Sequence, residues 1–157
     1  MSGGGGIRHI TYITTLIKLL LAQNWQVVLI GGKQEIEISD ALSPEILSKC
    51  INYVGKTSVA ESIALESLCN VSVGVDTGMQ HVSDALGVKT VSIFGPTNPK
   101  THGAYSNKAV FAEVDEPCKY CFDPSNQYMY INCNHRKCLE RVTPEQVFEL
   151  ISLQLNE

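Results

Sequence analysis

Val71-Ser72-Val73-Gly74-Val75-Asp76-Thr77-Gly78-Met79-Gln80-His81 opens the stretch that decides the fold, which runs on to Pro99 as VSVGVDTGMQHVSDALGVKTVSIFGPTNP. Val71, Val73 and Val75 form a short β-branched run that stops at Asp76-Thr77-Gly78, the pattern of a strand ending in a tight turn. A helix then carries the chain to Leu86-Gly87, and a second apolar run, Val88 to Phe94, ends in Gly95-Pro96-Thr97. If the two strands are parallel neighbours, both polar turns open at one carboxyl edge of the sheet, where open α/β folds bind ligands. Asp76 or Thr77 can accept from the first free N–H groups of the helix, and Gly78 lets a ligand approach the backbone. Those N–H groups, with the positive end of the helix dipole, suit a phosphate. His81 stands one turn into the helix and can face the same anion.

Outward from this centre, composition bounds the answer. The 157 residues are enough for one domain with a real core and few for two. Hydrophobic content of 44% with 18% charged residues fits a globular α/β domain. A net charge of −4 argues against a nucleic-acid partner, since such domains carry a basic patch. No run of 18 apolar residues is present to span a membrane, and the Gly-rich start lacks a basic-then-apolar export signal. The expected location is therefore the cytoplasm, where six cysteines favour thiol, metal or redox roles over a disulfide framework.

Towards the N-terminus, Ser2-Gly3-Gly4-Gly5-Gly6 reads as a linker, a flexible start or a phosphate loop. Residues 10–22 have helical spacing through Ile13, Leu16, Ile17, Leu20 and Leu21, with Asn24 as the stop. Residues 26–30 read as a buried strand ending at Gly31-Gly32-Lys33. Ser43-Pro44-Glu45 starts a helix expected to reach about Cys50, and residues 51–54 form the next strand. Ser58-x-x-Glu61 has the form of a capping box for a helix over 59–68, expected to bury Ile63, Ala64 and Leu68. Cys50 and Cys69 read as small buried hydrophobes at helix ends. Residues 109–114 form an edge strand, and Thr143-Pro144-Glu145 caps a last helix with Val147, Leu150 and Ile151 on one face.

The run DTGMQHVSDALGVKTVSIFGPTNP resembles the signature of the ADP-heptose:lipopolysaccharide heptosyltransferases, glycosyltransferase family 9. There an Asp-Ser/Thr-Gly-x-x-His precedes a Phe/Tyr-Gly-Pro-Thr. The resemblance extends more weakly over nearly the whole chain. It implies a Rossmann-like α/β domain, a parallel sheet flanked by helices, corresponding to the C-terminal, donor-binding half of a GT-B fold. On that reading residues 1–157 are one nucleotide-sugar-binding domain, with a Gly-rich start (2–6) and a Cys-rich irregular segment (116–138). Asp76, Thr77, Gly78, Met79, His81, Gly95 and Thr97 then hold the donor phosphates. Arg8 stands where the family has a basic residue and a Trp-Pro, without the Trp or Pro, so it is a candidate rather than a match. Glu35 or Glu37 falls where an acidic residue meets the ribose, although solvated charges in a helix's first turn explain either one as well. Lys56 and Thr57 fall in the loop beside the nucleobase.

The same resemblance implies an inverting glycosyltransferase that takes ADP-heptose or a similar nucleotide sugar. Its acceptor would be the lipopolysaccharide inner core, reached at the inner face of the cytoplasmic membrane. The family places the general base, an Asp, in an N-terminal acceptor domain, so these residues alone are expected to bind donor and transfer little. A non-catalytic nucleotide or nucleotide-sugar binding module is the alternative. Transfer itself is expected to need no cofactor. Cys118, Cys121, Cys133 and Cys138, spaced as C-x2-C and C-x4-C eleven residues apart, leave structural zinc, a disulfide or plain thiols open. A zinc-ribbon interaction protein is the third and most distant reading.

Overall fold

The structure, a computed structural model, describes residues 6–122 and 132–156, and of residues 6–9 only the backbone. The chain divides into two compact units, Met1–Leu65 and Glu66–Glu157.

In the first unit helix α1 (Gly6–Ala22) starts earlier than its apolar spacing predicts. Ile17 is buried, with Ile13, Leu20 and Leu21 packed around it, which is the i, i+3, i+4 stripe of an amphipathic helix. Asn24 stops the helix in the left-handed conformation (φ 59°), its N–H donating to the Leu21 carbonyl at 3.0 Å. Strand β1 (Val27–Leu29) leads to a 3₁₀ turn (Lys33–Glu35) and helix α2 (Ile36–Asp40). Helix α3 (Pro44–Leu47) has the expected cap, with the Ser43 hydroxyl accepting from the Ile46 N–H. It ends before Cys50, which instead opens β2 (Cys50–Asn52) and pairs with Val27 in a parallel two-stranded sheet. Leu42 and Ile46 complete the buried cluster with Ile17 and Val27.

Helix α4 (Val59–Glu66) carries the capping box, Glu61 Oε2 accepting from the Ser58 N–H at 2.8 Å and Ser58 Oγ from the Glu61 N–H at 3.3 Å. Its buried face is not the expected apolar one. Leu68 lies beyond the helix end and is 81% exposed, Ala64 is exposed and Ile63 only half-buried. Ser62 and Glu66 are buried instead, because each has a hydrogen-bond partner inside: Thr57 Oγ1 and Ser83 Oγ, both at 2.8 Å.

The second unit is built on a three-stranded parallel sheet in the order β3 (Val71–Val75), β4 (Lys89–Ile93), β5 (Ala109–Ala112). Parallel neighbours need a crossover, and α5 (Gly78–Ala85) supplies it between β3 and β4. Short helix α6 (Pro99–His102) and a loop lead into β5. Helix α7 (Lys137–Glu140) precedes the C-terminal helix α8 (Pro144–Asn156), which packs against all three strands. Val147 and Ile151 of α8 are buried, as are Val91, Phe94 and Ala112 of the sheet region. Among the described residues, no helix is long and apolar enough to cross a membrane.

Candidate functional site

The register of β3 on β4, Val75 beside Ile93, brings Asp76-Thr77-Gly78 and Gly95-Pro96-Thr97 to the same carboxyl edge. Asp76 continues the ladder, its N–H donating to the Ile93 carbonyl at 3.3 Å. Thr77 is the N-cap residue of α5, yet its hydroxyl makes no capping hydrogen bond. Gly78 and Met79 head the helix, so their N–H groups lie ahead of its first internal acceptors. Gln80 is the first to bond back, its N–H donating to the Thr77 carbonyl at 3.1 Å. His81 is exposed. The expectation that Asp76 or Thr77 uses its side chain on these amides is thus unmet for Thr77, whose hydroxyl stays available beside them.

Gly78 is informative because nothing among the described residues requires it. A Cβ there meets no atom of the described residues within 4 Å, and its φ is not in the left-handed region. Gly95 differs. It is buried, and a Cβ there would come within 2.7 Å of Leu139 Cδ2 and 3.0 Å of Cys138 Sγ on α7. Its carbonyl accepts from the Tyr120 N–H at 3.0 Å, and that of Pro96 from the Phe122 N–H at 2.9 Å. The glycine of the second turn therefore serves close packing under the Cys-rich segment. Thr97 is half-buried, and Asn98 caps α6 by accepting from the Lys100 N–H at 2.9 Å.

The first unit has its own carboxyl edge, where β1 and β2 end side by side. The Glu35 side chain folds back over Gly31 and Gly32, while Glu37 is exposed in the first turn of α2. Lys56 donates to the Asn52 carbonyl at 2.9 Å, and the Thr57 hydroxyl pairs with Ser62. Both residues thus have partners within their own unit. Arg8 falls within the backbone of α1, its side chain outside the described residues, as are residues 2–5.

Cys118, Cys121, Cys133 and Cys138 are free thiols. Burial, and then the charges of Cys118, Cys121 and Cys133, push Cys138 up, so the four lie close enough to sense one another. Even so, among the described residues no three His, Cys, Asp or Glu side chains converge as metal ligands, and the four-cysteine zinc arrangement is not formed. Part of the Cys-rich segment, residues 123–131, lies outside the described residues. Cys133 is the exception in charge: the N–H groups of Arg136 and His135 hold its thiol below the usual value, whereas burial raises Cys50, Cys69 and Cys121. A thiol with lowered pKa is more ionised near neutrality and reacts faster. Limited iodoacetamide treatment at pH 7.5 is expected to label Cys133 ahead of Cys50, Cys69, Cys121 and Cys138, as read by peptide mass spectrometry. Equal labelling would mean those N–H groups do not hold the sulfur.

Gln80 carries no signature of its own in the sequence. It is buried among Ser72 of β3 and Ser92 of β4 and bonded to both. The signal was present in the serines that interrupt two apolar runs.

Comparison with known proteins gives a consistent result. The family model for glycosyltransferase family 9 (heptosyltransferase) matches residues 10–131. Lipooligosaccharide heptosyltransferase 2 of Haemophilus influenzae is 30% identical over 105 residues, which cover 64% of this chain and 30% of that protein. The structure of E. coli ADP-heptose LPS heptosyltransferase II superposes with a TM-score of 0.75 at 26% identity, covering 94% of this chain and 41% of the other. The fold is accordingly the Rossmann-like α/β fold of that structure. A dodecameric iron-containing heptosyltransferase, TibC, solved in complex with ADP-D-beta-D-heptose, shares the fold at a TM-score of 0.68 and 18% identity, over 93% of this chain and 40% of its own. The chain thus spans less than half the length of each.

Proposed function

Because the chain belongs to glycosyltransferase family 9, the heptosyltransferases, we propose that it is the nucleotide-sugar-binding part of an enzyme that transfers heptose from ADP-heptose to the lipopolysaccharide inner core. On this reading residues 1–157 act as one donor-binding domain, working at the cytoplasmic face of the inner membrane. The acceptor and its general base are held by a further domain.

The observation that carries the reading is Gly78. A glycine that neither its φ nor its neighbours require, at the head of α5, leaves open space over free N–H groups. A diphosphate fits that space. The Thr77 hydroxyl and the amides of Gly78 and Met79 donate to its oxygens, and His81 faces it one turn on. As the sugar–oxygen bond breaks, the leaving diphosphate gains charge. Donors already fixed by the fold stabilise that charge without reorganising, which is the electrostatic part of the catalysis. Asp76, a carboxylate beside this anion site, is best used on the sugar rather than on the phosphates.

The direct test is calorimetric titration of the chain with ADP. Saturable binding with a Kd in the sub-millimolar to millimolar range is expected, given about 1.5–3 kcal/mol for each hydrogen bond to a charged group. A folded chain that gives no binding heat at millimolar ADP would overturn the proposal.

A further inference from the structure

The polar group beneath α5 points to a role that the phosphate site alone does not explain. Ser72, Gln80 and Ser92 are 5%, 6% and 2% exposed. The Gln80 amide donates through Nε2 to Ser72 Oγ at 3.1 Å and accepts at Oε1 from Ser92 Oγ at 2.9 Å. Gly74 lies opposite Ser92 in the register and two residues beyond Ser72, so all three strand positions share one sheet face. A Cβ at Gly74 would stand 2.8 Å from Gln80 Nε2. Three residues are thus committed to seating one side chain.

We propose that Gln80 is a positioning residue: its amide, spanning the serines of β3 and β4 over Gly74, fixes the azimuth and axial register of α5 and so the places of Gly78, Met79 and His81 at the ligand. Apolar packing alone would hold the helix against the sheet while leaving rotation and sliding soft. The amide is directional, with one end donating to one strand and the other accepting from the next. That sets the helix in two dimensions at once. Net stabilisation from such a buried set is small, because its hydrogen bonds replace bonds to water. What the arrangement adds is placement. Gln80 lies one residue from His81 and two from Gly78, so any slip of its side chain is passed on within a single turn. The Ser83 hydroxyl, 2.8 Å from the buried Glu66 carboxylate, steadies the next turn of the same helix.

The proposal rests on ADP binding at the head of α5, and its test separates the two claims. Two variants of the chain are compared with the unmodified chain by ADP titration and thermal melting. The first, Ser72→Ala/Gln80→Met/Ser92→Ala, removes all three polar partners together, leaving none unsatisfied. The second, Gly74→Ala, displaces the amide by the added methyl while keeping every hydrogen-bonding group. The triple variant is expected to melt within a few degrees of the unmodified chain and Gly74→Ala lower but still folded, and both to bind ADP about tenfold more weakly or worse, since small misplacements of a binding group are costly. In the NMR spectrum the Gly78 amide is expected to shift in both variants without ligand. If the triple variant fails to fold, Gly74→Ala decides. Undiminished ADP affinity in a folded variant, with the Gly78 amide unmoved, would overturn the positioning role while the donor site stands. Absence of ADP binding by the unmodified chain would instead remove the donor reading, and this inference with it.

Discussion

Replacing Gly78 with valine is expected to weaken ADP binding about a hundredfold or more, through the loss of two charge-assisted hydrogen bonds at roughly 1.5–3 kcal/mol each. The same variant is expected to melt within about 2 °C of the unmodified chain, because valine in a helix costs only a few tenths of a kcal/mol relative to other residues. Among the described residues no atom stands within 4 Å of the added Cβ, which leaves room for it. What the side chain occupies is the space through which an anion would reach the Gly78 and Met79 amides. Gly95→Ala is the matched control. There the new methyl would press on Leu139 and Cys138 at 2.7 and 3.0 Å, and overpacking of that kind destabilises by about 1–3 kcal/mol. Titration and melting of both variants should therefore give opposite patterns: binding lost with stability kept at Gly78, and stability lost at Gly95. A parallel fall in both quantities for Gly78→Val would reduce that glycine to a structural residue.

Transfer of sugar by the 157-residue chain alone is expected to stay at background, even with the diphosphate well held. General-base assistance is worth roughly 10²–10⁴-fold, and positioning of the acceptor adds more. On the proposed reading, the head of α5 offers the leaving group two amides, a hydroxyl and an imidazole, and no base for the acceptor. The expected base, an Asp, belongs to the acceptor domain in the resemblance that the DTGMQH run carries. An assay with ADP-heptose and heptose-deficient lipopolysaccharide, following ADP release and glycolipid mass, should show product only when an acceptor domain is supplied. Strong transfer by the purified chain would place the acceptor site and the base within these residues. Asp76 and His81 would then be the first candidates for the base.

Much of this architecture is local and was open to reading. The β-branched run at Val71–Val75, the second run ending at Phe94 and the Gly/Pro turns after each marked two strands, the family resemblance implied a parallel sheet, and the register shows the two strands paired in parallel. The Ser58–Glu61 capping box and the Ser43-Pro44 start are encoded within four residues and formed as expected. So did the stop at Asn24, where an asparagine tolerates the left-handed conformation better than most side chains. The family motif lies in one uninterrupted run for the same reason: turn, helix head and histidine are neighbours in sequence.

Tertiary structure decided whatever depends on partners distant along the chain. Gln80 reads as one more polar helix residue until the sheet brings Ser72 and Ser92 beneath it. Gly95 matches the motif's glycine, but Leu139 and Cys138, more than forty residues on, fill the space beside it. Leu68 was expected inside on hydrophobicity alone; the helix ends at Glu66, and Ser62 and Glu66 take the interior because their partners are there. Extending α3 by its sequence puts Cys50 at a helix end, yet pairing with Val27 claims its backbone for β2. Sequence by itself thus determined the elements and the turn at the carboxyl edge of the sheet, since propensity and capping act over a few residues. Which side chains hold that turn in place was fixed only by packing, because a buried polar group is stable only where the fold supplies its partner.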